Sequence, residues 1–350
     1  MTTAGPPLLA RYLALAWCGL VVYGSLHPFS GWRDTGISPF AFVEGAWPRY
    51  WTVFDLVANV TVYIPLGFLL VLAFVGLPGR FTPALVATLL AAAISFCLES
   101  LQTWLPSRVP SNLDLACNTL GGVIGAVLAD RTGPRFFARL AAWQQRVIAP
   151  VPHAELGLTL LGVWLLVPLS PEILLFGAGD LRQALGLSGA VPFAAPSFML
   201  IEAAITTCNA VAVGLLAGLL AARRSIAYPF VFLFLLLGLV VRSLAAAVLV
   251  SPAEAFAWLT PGAQVGLMVG GVALAVALLL PLTPRLILAA MSLMAATVLV
   301  NLAPPNPYSA AALAAWRQGH FLNFNGLTKL VSTLWPFATV PFLLVVGRRV

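Results

Sequence analysis

The sequence predicts an all-α protein, a polytopic transmembrane helix bundle of about 10 spanning helices with both termini in the cytoplasm. Hydrophobic residues make up 61% of the 350 positions and charged residues only 8%. Soluble domains carry roughly 25% charged residues, so this composition excludes a water-soluble globule. The apolar residues also form runs of about 20, the length that crosses the hydrocarbon core of a bilayer.

The apolar runs follow one another through the whole chain. They lie near residues 8–26, 53–76, 82–104, 112–130, 155–171, 197–221, 226–250, 263–282, 284–301 and 330–347. Pro168, near the end of the fifth run, predicts a kink or an early stop. The first run follows Arg11 and resembles a signal peptide, but no small-residue cleavage motif comes after it. We therefore expect it to remain as the first span.

The basic residues predict the orientation, because cytoplasmic loops of membrane proteins are enriched in Lys and Arg. With the N-terminus inside, 11 of the 18 Lys and Arg residues fall on the cytoplasmic side and 6 on the outer side, with Arg242 inside a helix. This distribution explains the net charge of +7 without a nucleic-acid partner, since the chain has no basic run.

Polarity divides the chain into three parts: a four-helix module at 1–130, a connector at 131–153 and a six-helix module at 154–350. In the connector, apolar residues such as Phe136 and Leu140 repeat at helical spacing between arginines. This pattern is typical of a helix that lies on the cytoplasmic leaflet. In the six-helix module, glycines at four-residue spacing predict close helix packing.

The longest loop of the first module, from His27 to Thr52, is rich in Trp, Phe and Pro. Such aromatics usually lie at the level of the lipid headgroups. The loop is therefore interpreted as an interfacial segment, with a lid over a lipid substrate as the alternative.

Polar residues inside this first module gather around the corner between the third and fourth spans. They are Asp55 and Asn59 in the second span, Glu99 and Gln102 in the third, Arg108 in the turn, and Asp114 and Asn118 in the fourth. Within each span the two residues are three or four positions apart and share one helix face. The expected topology places all of them near the outer surface, with His27 at the end of the first span.

Charged side chains within apolar runs cost about 2.5–3.5 kcal/mol each on insertion scales, so their grouping calls for a reason. The three carboxylates of Asp55, Glu99 and Asp114 exceed the single charge of Arg108. If all are close, one carboxyl is protonated or a cationic group binds there, and Arg108 is suited to a phosphate or carboxylate. The alternative is that these residues only hold the helices together.

Outside this corner, five polar residues are secondary candidates: Glu202, Arg242, His320, Asn323 and Asn325. Glu202 and Arg242 lie in adjacent spans of the second module, where they suggest a buried ion pair. The other three lie in an outer loop that is a candidate border of the same outward-facing pocket.

The motifs of the first module resemble one family. They are FDLVANVTVYIPLGFLL in the second span, LESLQTWLPSR after the third, and SNLDLACNTLGGVIG in the fourth. In this order they are similar to VanZ-like membrane proteins, over about residues 10–130. The resemblance implies a multi-pass protein of the bacterial inner membrane and a cell-envelope role related to resistance to teicoplanin, a glycopeptide. It supplies no mechanism.

Three functions remain open at this point. The first is binding or moving a lipid-linked or cell-wall-precursor ligand through an outward-facing polar pocket. The second is a hydrolase or transferase acting on a polyprenyl-phosphate-type lipid. Glu99 would be the general base, with Asp114 or Asp55 as its partner and Arg108 holding the anionic group. The third is a proton- or cation-coupled transporter. No cofactor or metal is expected, because one His and scattered acids match no common ligand spacing.

Overall fold

The computed structural model describes residues 8–79, 81–170, 173–186, 192–304, 306–307 and 322–348, and these form helices without a β-strand. Two compact units divide the chain, Met1–Trp143 (unit 1) and Gln144–Val350 (unit 2). The helices of unit 1 are α1 (Leu8–Leu26), α2 (Ala41–Glu44), α3 (Val53–Ala73), α4 (Thr82–Gln102) and α5 (Asn112–Val147), whose last residues pass into unit 2. Those of unit 2 are α6 (Ala154–Trp164), α7 (Arg182–Leu185), α8 (Ala195–Leu220), α9 (Arg224–Leu249), α10 (Pro261–Ala277), α11 (Leu282–Leu302) and α12 (Leu322–Gly347).

The lengths of the helices can be compared with the ten spans that the sequence predicts. Among the described residues, eight helices are long and apolar enough to cross a membrane, which agrees with an all-helical membrane protein. They are α1, α3, α4, α5, α8, α9, α11 and α12. The other two expected spans correspond to α6 and α10, with 11 and 17 residues. Both are shorter than the roughly 20 residues that a perpendicular span needs.

The fifth predicted span, 155–171, is helical only as far as Trp164. α6 ends at Trp164, before Pro168, and the described residues from 165 to 181 form turns and irregular backbone. We call the described residues 165–170 and 173–181 the irregular segment. It is buried, with Val167 0% and Phe176 1% exposed. Irregular backbone in a membrane protein is tolerated only where protein or a cavity surrounds it.

The connector between the modules also differs from the expectation. α5 runs without a break from Asn112 to Val147, so residues 131–147 continue the fourth spanning helix rather than form a separate one. Its 36 residues give a length of about 54 Å at about 1.5 Å per residue. An increase in polar residues along the sequence predicts where a helix leaves an apolar environment. It does not predict where the helix itself ends, because polar residues continue the same backbone hydrogen bonds.

Glycines bring α5 against α3 in unit 1. A Cβ atom on Gly121 would collide with the Val60 carbonyl oxygen, and one on Gly125 with the Ile64 carbonyl oxygen. Gly122 faces α4, where an added Cβ would lie 2.8 Å from the Ala91 Cβ atom. Small residues at such crossings let helix backbones approach closely. The Gly-Gly pair therefore holds the start of α5 between α3 and α4.

In unit 2, α8 is the central helix, because 83% of its most apolar 18-residue stretch is buried inside the protein. A Cβ on Gly214 would collide with Leu274 of α10, and a Cβ on Gly266 would lie 2.7 Å from the Ala203 carbonyl oxygen of α8. The predicted close packing at these glycine repeats is therefore confirmed, and it joins α8 to α10.

Candidate functional site

Unit 1 gathers polar side chains at one end, where α1 and α4 finish and α3 and α5 begin. We call Asn59, Glu99, Arg108, Asp114 and Asn118 the polar cluster. Hydrogen bonds and electrostatic interactions connect α3, α4 and α5 through these residues and their immediate neighbours. These are the three helices whose polar residues the sequence predicted to meet.

Glu99 is the buried centre of the polar cluster, with only 4% of its surface exposed. Its Oε2 atom accepts a hydrogen bond of 2.8 Å from the backbone N–H of Ser111, just before α5. That N–H group lies at the N-terminal end of α5, which carries partial positive charge. The charges of Asp114 and Arg108 both act on Glu99, so two acids and one base are close together.

Asp114 lies in the first turn of α5 and is partly exposed. Its backbone N–H donates to Ser111 Oγ at 3.2 Å, which fixes the start of the helix. The Asn59 side chain lies beside the Asp114 carboxyl, and the charge of Asp55 acts on it from α3. Asp114 therefore lies within electrostatic range of a second acid, Asp55.

Asp55 itself has a structural role. Its Oδ2 atom accepts from the Thr52 backbone N–H at 3.0 Å and from Thr52 Oγ1 at 2.7 Å, and its own N–H donates back to Thr52 Oγ1. This capping box satisfies the first N–H groups of α3. Asp55 is exposed at the edge of the polar cluster, outside its buried part.

Arg108 lies in the turn between α4 and α5 and joins it to α1. Its Nε donates to the His27 carbonyl oxygen and its Nη2 to the Gly24 carbonyl oxygen, both at 3.0 Å. Burial lowers the pKa of the Arg108 guanidinium, and the charge of Glu99 acts in the opposite direction. An arginine pKa starts so high that the group stays charged at neutral pH. Its Nη1 group has no hydrogen-bond partner among the described residues.

Gln102 and Asn118 make bonds between helices. Gln102 Nε2 donates to the Ser25 carbonyl oxygen of α1 at 3.1 Å, and Asn118 Nδ2 donates to Ser95 Oγ of α4 at 3.0 Å. Asn118 Oδ1 is buried and accepts no hydrogen bond within the described part of the chain, as is also true of Ser100 Oγ. Most buried polar atoms are satisfied, so these acceptors mark spare hydrogen-bonding capacity.

The loop from His27 to Thr52 folds across this end of unit 1. The Arg33 backbone N–H donates to the Trp104 carbonyl oxygen at 3.0 Å, and Asn112 Nδ2 donates to the Gly45 carbonyl oxygen at 2.7 Å. Phe40 stacks on Phe96 of α4 with a centroid distance of 5.7 Å. Aromatic side chains remain outside, with Tyr50 94% exposed. The loop is thus attached beside the polar cluster.

His27 contributes a backbone contact and a ring contact. Its carbonyl oxygen accepts from Arg108, and its ring lies 5.1 Å from the Tyr23 ring. Among the described residues, no group of three or more His, Cys, Asp and Glu side chains is arranged to hold a metal ion.

The secondary candidates of unit 2 have separate partners. Glu202 is 3% exposed and its Oε1 accepts from Thr260 Oγ1 at 2.6 Å. Arg242 donates to the carbonyl oxygens of Ser170 and Ile173, the latter at 2.8 Å, and so supports the irregular segment. No salt bridge joins Glu202 to Arg242, which corrects the expected ion pair. His320 lies outside the described residues, as do the side chains of Asn323 and Asn325.

Sequence reasoning missed Ser111 and Ser95, which position Glu99, Asp114 and Asn118. Ser111 was recognisable, because Ser-Asn-Leu-Asp at 111–114 has the spacing of a helix N-terminal cap, as does Thr-Val-Phe-Asp at 52–55. Ser95 gave no comparable signal, since a lone serine in an apolar helix is common.

Comparison with protein families finds a match to the model described as VanZ/LLP1, over residues 11–132. Neither the curated proteins nor the solved structures contain a match to the chain. The matched residues include most of α1, all of α3 and α4, and the polar cluster, and so confirm the resemblance that the motifs indicated. Residues 11–132, about a third of the chain, are therefore similar to the VanZ/LLP1 family, and the long apolar helices are of the kind that cross a membrane.

Proposed function

We propose that this VanZ-like membrane protein binds or moves a lipid-linked or cell-wall-precursor ligand of the bacterial envelope, through the polar cluster of unit 1. The observation that carries the proposal is the unequal number of acidic and basic groups at the cluster. Glu99 and Asp114 lie in it, with Asp55 at its edge, and Arg108 is its one basic member. The Nη1 group of Arg108 has no hydrogen-bond partner within the described protein.

The solvent exposure of the side chains divides the cluster into accessible members and a buried one. Arg108 and Asp114 are partly exposed, so a ligand can reach them, whereas Glu99 is 4% exposed beneath them. An anionic ligand group pairs with Nη1 of Arg108, because a guanidinium binds phosphate and carboxylate through parallel hydrogen bonds. A cationic or donor group on the same ligand pairs with Asp114. A zwitterionic headgroup satisfies both.

The proposed topology gives this site a location. With about ten spans and both termini in the cytoplasm, the cluster lies just beneath the outer surface of the bacterial inner membrane, where Arg and Lys are fewer. The exposed Trp47, Tyr50 and Trp51 then lie at headgroup level beside it. A membrane-anchored ligand would thus approach from the lipid with its headgroup at the depth of Arg108.

The test is ligand retention by the full chain in nanodiscs made from bacterial lipid extract, read by native mass spectrometry. Arg108→Gln and Asp114→Asn are expected to lower retention of the bound lipid by at least about tenfold, since each removes a charged hydrogen bond. Arg131→Gln and Asp130→Asn make the same chemical changes at exposed positions further along α5 and serve as matched controls. Equal retention by all four variants contradicts the proposal.

One observation favours a second function, a hydrolase or transferase acting on a polyprenyl-phosphate-type lipid. Glu99 is a buried carboxyl whose neighbours include a second carboxyl, Asp114, and a cation, Arg108. Such a group is suited to take a proton from water while Arg108 holds the phosphate. Release of phosphate from a labelled polyprenyl-phosphate lipid by the wild type, lost in Glu99→Gln, supports this function. Retention of the lipid without turnover supports binding or transport instead.

A further inference from the structure

A cavity of about 50 Å³ opens in unit 2. It lies between the irregular segment and the end of α11 with the residues that follow it. Ser332 of α12 also lines the cavity. Its lining combines apolar residues with four polar ones: Asp180, Arg182, Asn306 and Ser332. At roughly 10–15 Å³ for each water, the space holds about three to five atoms of water size, which is the size of a phosphate group.

The cavity wall is held rigidly by its own hydrogen bonds. The Gly179 N–H donates to the Ser332 carbonyl oxygen at 2.8 Å, and Thr333 Oγ1 donates to the Asp180 carbonyl oxygen at 3.0 Å. Asn301 Nδ2 donates to the Gly179 carbonyl oxygen at 2.7 Å. Gly179 has φ +85°, and an added Cβ would lie 2.7 Å from Thr297 Oγ1, so no other residue fits there easily. The wall is therefore preformed.

Arg182 points its guanidinium along this wall. Its Nε donates to Asp180 Oδ1 at 3.0 Å, its Nη2 to Asp180 Oδ2 at 2.7 Å, and its Nη1 to the Ala303 carbonyl oxygen at 2.6 Å. A guanidinium has five N–H donors, and these bonds use three. One donor on Nη1 and one on Nη2 remain without a partner among the described residues. The side chains of Arg182 and Asp180 are both accessible, at 20% and 28% exposed respectively.

Charge at this cavity favours an anion. The carboxylate of Asp180 is matched by Arg182, and the charge of Lys329 also acts on it. Arg182 balances the charge of Asp180, and Lys329 adds a further positive influence on this pair. Burial alone would raise the pKa of the Asp180 carboxyl, but its bonds to Arg182 and the two cations lower it. Asp180 is thus ionised at neutral pH and orients the fork of Arg182.

We propose that this cavity is a second binding site, which takes a phosphate group on the free edge of the Arg182 guanidinium, with Ser332 and Asn306 at its sides. The site lies in unit 2 and goes beyond the function proposed for the polar cluster. The same phosphate chemistry is available from free inorganic phosphate and from an anionic lipid headgroup.

The experiment has two arms, both with the full chain in nanodiscs. In the first, discs of phosphatidylcholine alone are equilibrated with radiolabelled inorganic phosphate. In the second, discs that contain phosphatidate are compared with phosphatidylcholine discs by native mass spectrometry. Saturable binding in the first arm supports a free-anion site, and selective retention of phosphatidate in the second supports a headgroup site. No binding in either arm overturns the proposal.

Three variants separate binding from folding, and each is checked for its thermal midpoint. Arg182→Gln removes the guanidinium group that would bind phosphate, and Lys329→Gln removes only a neighbouring charge. Ala303→Leu fills the cavity and keeps all charges. Arg182→Gln and Ala303→Leu are each expected to weaken binding by at least about tenfold, and Lys329→Gln by about threefold. Arg223→Gln, the loss of an exposed charge elsewhere in unit 2, is expected to leave binding unchanged. Binding that survives both Arg182→Gln and Ala303→Leu in folded protein overturns the proposal, as does equal loss in the control.

Discussion

The two units both bury charge, but they satisfy it differently. In unit 2, Arg242 donates to two backbone carbonyls and Glu202 accepts from the Thr260 hydroxyl, so each has a fixed partner within the protein. In unit 1, Glu99 and Asp114 lie close together, and Arg108 keeps its Nη1 group without a partner in the described chain. Buried charge alone therefore does not mark a functional site. Spare bonding capacity at a reachable group is the better indicator.

The largest expected effect comes from Arg242, whose role in this comparison is structural. Arg242→Leu leaves the carbonyl oxygens of Ser170 and Ile173 buried without their donor. Each lost partner costs about 1–3 kcal/mol, so we expect a loss of about 3 kcal/mol or more in the free energy of unfolding. The measurement is unfolding of the detergent-solubilised chain by a mixed-micelle denaturant titration.

Arg224→Leu is the matched control, because Arg224 is exposed at the start of the same helix. Its stability is expected to stay within about 0.5 kcal/mol of the wild type. If Arg242→Leu is as stable as this control, the irregular segment does not depend on Arg242, and the contrast between the units fails.

A smaller effect is expected from the glycines that position the polar cluster. A side chain at Gly125 would push α5 away from the Ile64 carbonyl oxygen of α3. Gly125→Leu is therefore expected to destabilise unit 1 by about 1–3 kcal/mol, and to reduce ligand retention at Asp114 as well. Thermal unfolding and native mass spectrometry measure the two effects on one sample.

Gly19→Leu provides the comparison, since an added Cβ at Gly19 of α1 meets nothing within 4 Å. Its stability and ligand retention are expected to match the wild type. Loss of retention in Gly19→Leu, or none in Gly125→Leu, would show that the α3–α5 crossing does not position the cluster.

The smallest effect concerns the pH dependence of Asp180. Its pKa in the folded protein is lowered, so its pair with Arg182 contributes stability that is fully present above the unfolded value of about 3.9. That contribution is lost as the pH falls through the lower folded value. The thermal midpoint of the wild type should therefore exceed that of Asp180→Asn by a constant amount from pH 7 to about pH 5.

Below about pH 4 the two midpoints should converge, because protonation then removes the charge that the variant lacks. A difference that stays constant down to about pH 2 would indicate that the ionised carboxylate is not what stabilises this turn. Glu44→Gln, at an exposed acid of α2, is the control and should show no such convergence.

Local patterns were enough to predict the helices and the meeting of polar residues in unit 1. Asn59, Glu99 and Asp114 lie one turn from another polar residue on their own helix, and the apolar runs fixed how the helices alternate. The order of these elements then placed the three side chains at one end of the unit. Periodicity and hydrophobicity are properties of neighbouring residues, and a single sequence displays them directly.

Contacts between distant residues were not predictable in the same way. The early end of α6 at Trp164 depends on donors that reach the irregular segment from other helices, such as Arg242 and Asn301. The sequence pattern paired Arg242 with Glu202 because both are charges in adjacent apolar runs, whereas backbone carbonyls, which every residue has, are its partners. No residue-level pattern distinguishes these two outcomes.

The most direct test of the central claim is an experimental density map of the full chain in nanodiscs of bacterial lipid extract. We expect density that continues from lipid to the Nη1 group of Arg108 and contacts the Asp114 carboxyl, with Glu99 bound to the Ser111 N–H beneath it. A map in which Arg108 turns inward to pair directly with Glu99 and Asp114, with no space for another group between them, would contradict the account.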